Sequence, residues 1–123
     1  MTTKVQVSKI HTLNGHRDCV YSLEAGSEGS QVFSGSGDGM VVQWNLANPE
    51  EGEVIAKLPH SVYALHYLKN ENLLVAGHNY EGIHFIDWQH KKEVKSLKMT
   101  TAAIFDIQSF DGNLFIASGD GSV

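Results

Sequence analysis

Val20-Tyr21-Ser22-Leu23 returns as Val62-Tyr63-Ala64-Leu65 and again as Ile104-Phe105-Asp106-Ile107. Both intervals are 42 residues. A fixed period of this size marks a repeat architecture, in which each unit buries its apolar face against its neighbours. Such proteins present a rigid surface, and loops on one face meet a partner.

Outward from these stretches the pattern is one of short strands. Apolar runs of four to seven residues, rich in Val, Ile, Tyr and Phe, end at Gly, Asn, Asp or Ser, and helical periodicity is lacking. In the first unit strands are expected over Val20 to Ala25, Gln31 to Ser34, Met40 to Leu46 and Val54 to Leu58. The Asp38-Gly39 pair between two apolar runs is a hairpin signal, because its turn needs positive φ. The second unit repeats the order with Val62 to Leu68, Leu73 to Gly77, a turn at Glu81-Gly82, Ile83 to Trp88 and Glu93 to Met99. A third begins at Ala103, turns at Asp111-Gly112-Asn113, continues through Leu114 to Ala117 and reaches Asp120-Gly121. Ahead of them all, Lys4 to Leu13 is expected to form one strand of the fourth kind. Four short antiparallel strands per repeat describe a propeller blade. The expected class is all-β, with blades over residues 14–58 and 59–99, an incomplete blade over 100–123 and a latch strand over 4–13.

Composition narrows the function. The chain has 123 residues, 41% of them apolar, with twelve glycines and a formal charge of −5. That charge argues against a nucleic-acid footprint, which needs a basic face. The single cysteine, Cys19, allows no disulfide framework within the chain. No apolar run approaches a membrane span, and Met1 to Val7 lack the apolar core of a signal peptide. A cytoplasmic location and no membrane partner are expected.

The first repeat resembles the WD-repeat family. It carries Leu13-Asn14-Gly15-His16, Val20-Tyr21-Ser22-Leu23, Phe33 through Gly39 and Val42-Gln43-Trp44-Asn45. Asn45 stands where that family usually has Asp. The resemblance implies a β-propeller and a side-chain hydrogen-bond network of His16, Ser34, Asp38 and Trp44. The chemistry is coherent: the Trp44 indole donates only, Ser34 accepts and donates onward to His16, and Asp38 orients the other ring nitrogen. A Ser, a His and an Asp also invite a hydrolase reading, but this serine is paired with an indole and closed to substrate. The second repeat departs from the pattern. Ala76 replaces Ser34, Pro59-His60 replaces Gly15-His16, and Asp87 falls at the Trp44 position if Gly39 and Gly82 are aligned.

Tyr21, Tyr63 and Phe105 recur on first strands, which line the channel in propellers, and are the leading partner-binding candidates. Plain alternation sets Tyr21 beside Leu23 and into the blade-to-blade packing, unless a bulge intervenes. Arg17 and Asp18 precede the first strand and would rim the same face, or form only a solvated turn. Tyr80 is expected to be exposed at a hairpin. No zinc spacing links the histidines at 60, 66, 78 and 84, so no metal site is expected. Lys91, Lys92, Lys95 and Lys98 read as charge that keeps an outer strand from pairing. Gly35 to Gly39 runs strand to strand without a lysine and is no phosphate loop. No cofactor is implied. Ser22, Ala64 and Asp106 do not form the convergent polar cluster that an enzymatic site would need.

The resemblance therefore implies a non-enzymatic scaffold for a protein or peptide. A propeller-fold enzyme or small-molecule binder, and an accessory segment of a larger protein, are the alternatives. Two and a half blades do not close a ring. The chain is expected to be the N-terminal portion of a longer propeller, or to self-assemble with the Lys4–Leu13 strand completing a neighbour's third blade.

Overall fold

A computed structural model describes residues 4–80 and 82–123. Among them are ten strands: β1 (Val20–Ala25), β2 (Gln31–Ser36), β3 (Met40–Asn45), β4 (Gly52–Lys57), β5 (Val62–Leu68), β6 (Leu73–His78), β7 (Ile83–Asp87), β8 (Lys92–Leu97), β9 (Ile104–Phe110) and β10 (Asn113–Ser118). They form two four-stranded antiparallel sheets, β1-β2-β3-β4 and β5-β6-β7-β8, and a third sheet of β9 and β10. The sheets stack face to face. β1 lies against β5 and β5 against β9, whereas the outer strands β4 and β8 barely meet. Inner strands that converge while outer strands diverge are the geometry of blades turned about an axis.

The repeated residues explain the stacking. Gly35 of β2 faces Val62, and a Cβ there would lie 2.6 Å from Val62 Cγ1. One period on, Gly77 faces Ile104, with a Cβ again 2.6 Å from a side-chain carbon. Each blade thus uses a bare backbone to receive the β-branched residue that opens the next blade's inner strand. Around these contacts Phe33, Val41, Ile55, Leu65, Leu74 and Ile86 fill the first seam. Val75, Ile83, Ile104 and Ile107 fill the second.

The same residue type has a different fate in blade 1. Val62 and Ile104 are fully buried, but Val20 is 50% exposed. Leu65 is 5% exposed, but Leu23 is 68% exposed. The face of blade 1 that corresponds to blade 2's packed face is bare, and so is Phe115 on the far side of β10.

The structure departs from expectation in two places. Residues 4–13 form no strand and lie almost wholly in solvent. A fourth-kind strand needs the free edge of a third strand, and β3 and β7 already pair with β4 and β8. Ile86, not Asp87, stands at Trp44's register: Ile86 opposes Leu74 as Trp44 opposes Val32. The turn glycine lies one position later in blade 2 relative to the ladder, so aligning glycines shifts the reading by one residue. Lys91, just ahead of β8, reaches Glu53 Oε1 of blade 1 through its Nζ at 2.6 Å. Of the remaining turn and leader residues, Glu81 and Met1 to Thr3 lie outside the described residues.

Candidate functional site: an aromatic row on the inner strands

Plain alternation along β1 fails at one residue. The β1–β2 ladder pairs Val20 with Ser36 and then Ser22 with Gly35, leaving Tyr21 unmatched. Blade 2 skips Tyr63 between Val62 and Ala64 in the same way. Blade 3 skips Phe105 between Ile104 and Asp106. A bulge breaks the regular alternation and re-aims the side chain of its extra residue. Three bulges at one repeat position therefore bring three aromatic rings together on the inner strands. Tyr21 and Tyr63 meet edge to face with centroids 4.8 Å apart. Tyr63 and Phe105 follow at 5.3 Å. Tyr21 is 50% and Phe105 55% exposed, so the row is open to solvent. Cys19 first, then burial, Tyr63 and Asp18, push the Tyr21 phenol up from its ordinary value.

The flanking loops lie at the same end, because the start of β1 adjoins the end of β2. Arg17 is exposed, and its backbone N–H donates to Asp38 Oδ2 at 3.0 Å. Asp18 is more constrained. Its Oδ1 accepts from the Cys19 N–H at 2.7 Å, and its carboxylate lies against Gly37. Tyr80 is exposed in the β6–β7 hairpin and sits edge-on to His60 at 4.7 Å.

Beneath these loops His16, Ser34, Asp38 and Trp44 are joined. The Trp44 indole donates to Ser34 Oγ at 2.8 Å, and Ser34 Oγ lies 2.6 Å from His16 Nε2. His16 Nδ1 lies 3.1 Å from Asp38 Oδ2. With Nδ1–H turned to the carboxylate, Nε2 accepts the serine proton, and every polar side-chain atom of these four residues has a partner. Burial pushes the Asp38 carboxyl up. The backbone N–H groups of Arg17 and Met40, and then His16, outweigh it and hold the carboxyl below the usual carboxylate range. The network ties the loop before β1 to the β2–β3 hairpin, so it holds Arg17 and Asp18 in place.

A residue-by-residue family model, "WD domain, G-beta repeat", matches residues 7–45. Residues 7–45 are thus similar to one WD repeat. Solved structures agree on the fold. The WD40 β-propeller domain of Doa1 superposes with a TM-score of 0.79 at 22% identity, covering 88% of this chain and 37% of that one. U3-55K gives 0.76 at 17% identity, with 88% and 36% covered. The WD40 repeats of RRP9 give 0.76 at 16%, with 88% and 35% covered. The chain spans little more than a third of the length of these propellers. No curated protein matches its sequence.

Beside the Trp44 network lie further polar groups, of which the sequence reading weighed only the histidines, and those only as metal ligands. Glu24 on β1, His66 on β5 and Ser109 on β9 join three blades: His66 Nδ1 is 3.3 Å from Glu24 Oε2, and His66 Nε2 is 2.7 Å from Ser109 Oγ. The signal was in the period, since Glu24 and His66 are 42 residues apart and Ser109 lies one residue past the next step. In blade 2, His78 Nε2 lies 2.6 Å from His84 Nε2, and His84 in turn bonds Glu93. Among the described residues no group of three His, Cys, Asp or Glu side chains is arranged to hold a metal ion. No helix among them is long and apolar enough to cross a membrane.

Proposed function

We propose that this chain is a non-enzymatic docking scaffold of the WD-repeat type whose inner-strand aromatics bind a peptide or protein. The continuous, solvent-open row of Tyr21, Tyr63 and Phe105 carries the reading. Rings held by bulges and by each other are rigid and amphipathic, and lose little entropy when a partner covers them. Arg17, Asp18 and Tyr80 form the rim, with Arg17 offering a fork of donors to a carboxylate or backbone carbonyl. The formal charge of −5 disfavours nucleic acid as that partner. The exposed free thiol of Cys19 suits the reducing cytoplasm.

Ring completion belongs to the same proposal. Val20 and Leu23 occupy positions that a preceding blade covers in blades 2 and 3. Further blades of a longer chain would cover them. Residues 4–13 would then find the free third-strand edge they need and act as a latch. A second copy of the chain is the other source of blades.

Affinity capture with the intact gene product tests the docking reading. Tyr21→Ala and Tyr63→Ala should each weaken the captured partner by roughly thirtyfold, the effect of losing a central aromatic anchor. Retention of every partner by both variants would contradict it.

A further inference from the structure

Ser109, His66 and Glu24 have the connectivity of an activated nucleophile. Glu24 Oε2 accepts the Tyr67 backbone N–H at 2.9 Å, which fixes the carboxylate against β5. The same oxygen lies 3.3 Å from His66 Nδ1. That contact is a charge proximity and not an aligned hydrogen bond; the carboxylate's charge favours the imidazole proton on Nδ1, the tautomer in which Nε2 is the acceptor. Nε2 lies 2.7 Å from Ser109 Oγ, within reach for taking its proton. Unlike Ser34, Ser109 has no indole on its hydroxyl and sits on an exposed residue of β9. It lines a cleft of about 470 Å³ at the open end of the seam between blades 2 and 3, beside Tyr67, Leu68, Phe85, Phe110 and Leu114, with Lys69 also on its wall. Ser109 therefore joins a partly apolar cleft, whose wall it forms, to His66 and Glu24, which lie behind it and outside the lining.

We propose that Ser109 is a nucleophilic serine that accepts the acyl group of activated carboxylic esters, with His66 as general base and Glu24 as the positioning residue. This uses a different part of the inner strands from the docking row and goes beyond it; the step ends at the acyl-serine without turnover, so the chain remains a scaffold that carries one reactive serine. As Oγ attacks the carbonyl carbon, His66 Nε2 takes the Oγ–H proton. The tetrahedral adduct then collapses, the bond from carbon to the leaving oxygen breaks, and His66 returns the proton to that oxygen. Ester and serine become acyl-Ser109 and the free alcohol or phenol. The apolar side chains of the cleft suit a small acyl group.

The test incubates the chain with p-nitrophenyl acetate and maps acetylated residues by mass spectrometry. Ser109 should be acetylated on the order of a hundredfold faster than the other serines, the lower end of what a positioned base supplies. His66→Ala should fall to that background, and added imidazole should restore labelling. Glu24→Gln keeps an acceptor for the Tyr67 N–H but loses the charge, and should slow labelling about tenfold at an unchanged urea midpoint. Acetyl groups spread over lysines and Cys19 with no preference for Ser109 in the unaltered chain would overturn the proposal. So would His66→Ala labelled at the unaltered rate, or variants that change only the unfolding midpoint, as a purely structural clamp between blades requires.

Discussion

At the scale of single residues, the hydroxyl of Ser34 carries two partners at once. Ser34→Ala strands the Trp44 indole N–H without its acceptor in a buried site, at a cost of about 1–3 kcal/mol. Urea unfolding should show a lower midpoint at an unchanged slope. An unmoved midpoint would mean the network contributes nothing. Asp38 gives the network a pH dependence. Its carboxyl titrates lower in the folded chain than in the unfolded one. The stabilisation is therefore whole above the ordinary carboxyl range near about 4 and is lost as pH falls through the lower folded value. Asp38→Asn should remove part of the acid sensitivity of the urea midpoint below about pH 4. The network's four members were legible because the first repeat resembles a WD repeat and matches that family's network positions. Glu24, His66 and Ser109 were not: they lie in three different repeats, and Ser109 is off the period by one. Only the stacking of the blades brings them together.

Among the elements, turns and bulges decide where side chains point. Gly39 and Gly112 both adopt positive φ, 82° and 76°. A Cβ at Gly39 would lie 2.4 Å from the Leu58 carbonyl oxygen, whereas Gly112 has open space. Gly112→Ala should cost about 1–2 kcal/mol for conformation alone, and Gly39→Ala clearly more, because β3 and the chain leaving β4 must part. Equal losses in urea unfolding would contradict the crowding. The strands themselves were readable from apolar runs and Gly or Asn punctuation, and β1 and β5 begin and end where the sequence places them. Two things were not. A bulge leaves no mark in apolar alternation, so the side to which Tyr21 turns stayed open. The expected strand over Lys4 to Leu13 had the right residues, but a strand exists only if an edge is free to pair with it.

For the molecule as a whole, the bare face of blade 1 sets the behaviour in solution. Exposed Val20 and Leu23, with Phe115 on the far side of blade 3, invite association. Light scattering should show mass rising with concentration, and Leu23→Glu with Phe115→Glu should hold the chain closer to a monomer. A monodisperse folded monomer of the unaltered chain would rule out association through these faces. The 42-residue period made the blade architecture legible, since equal spacing of Val20, Val62 and Ile104 implies equal surroundings. It left the missing neighbour of blade 1 unmarked, because that residue's type is the same whether or not a blade covers it. The central claim is that successive blades stack about one axis and bulge their aromatics into a single row. Nuclear Overhauser contacts between aromatic rings test it most directly. The account predicts cross-peaks from Tyr21 to Tyr63 and from Tyr63 to Phe105, whereas rings that each contact only their own blade would contradict it.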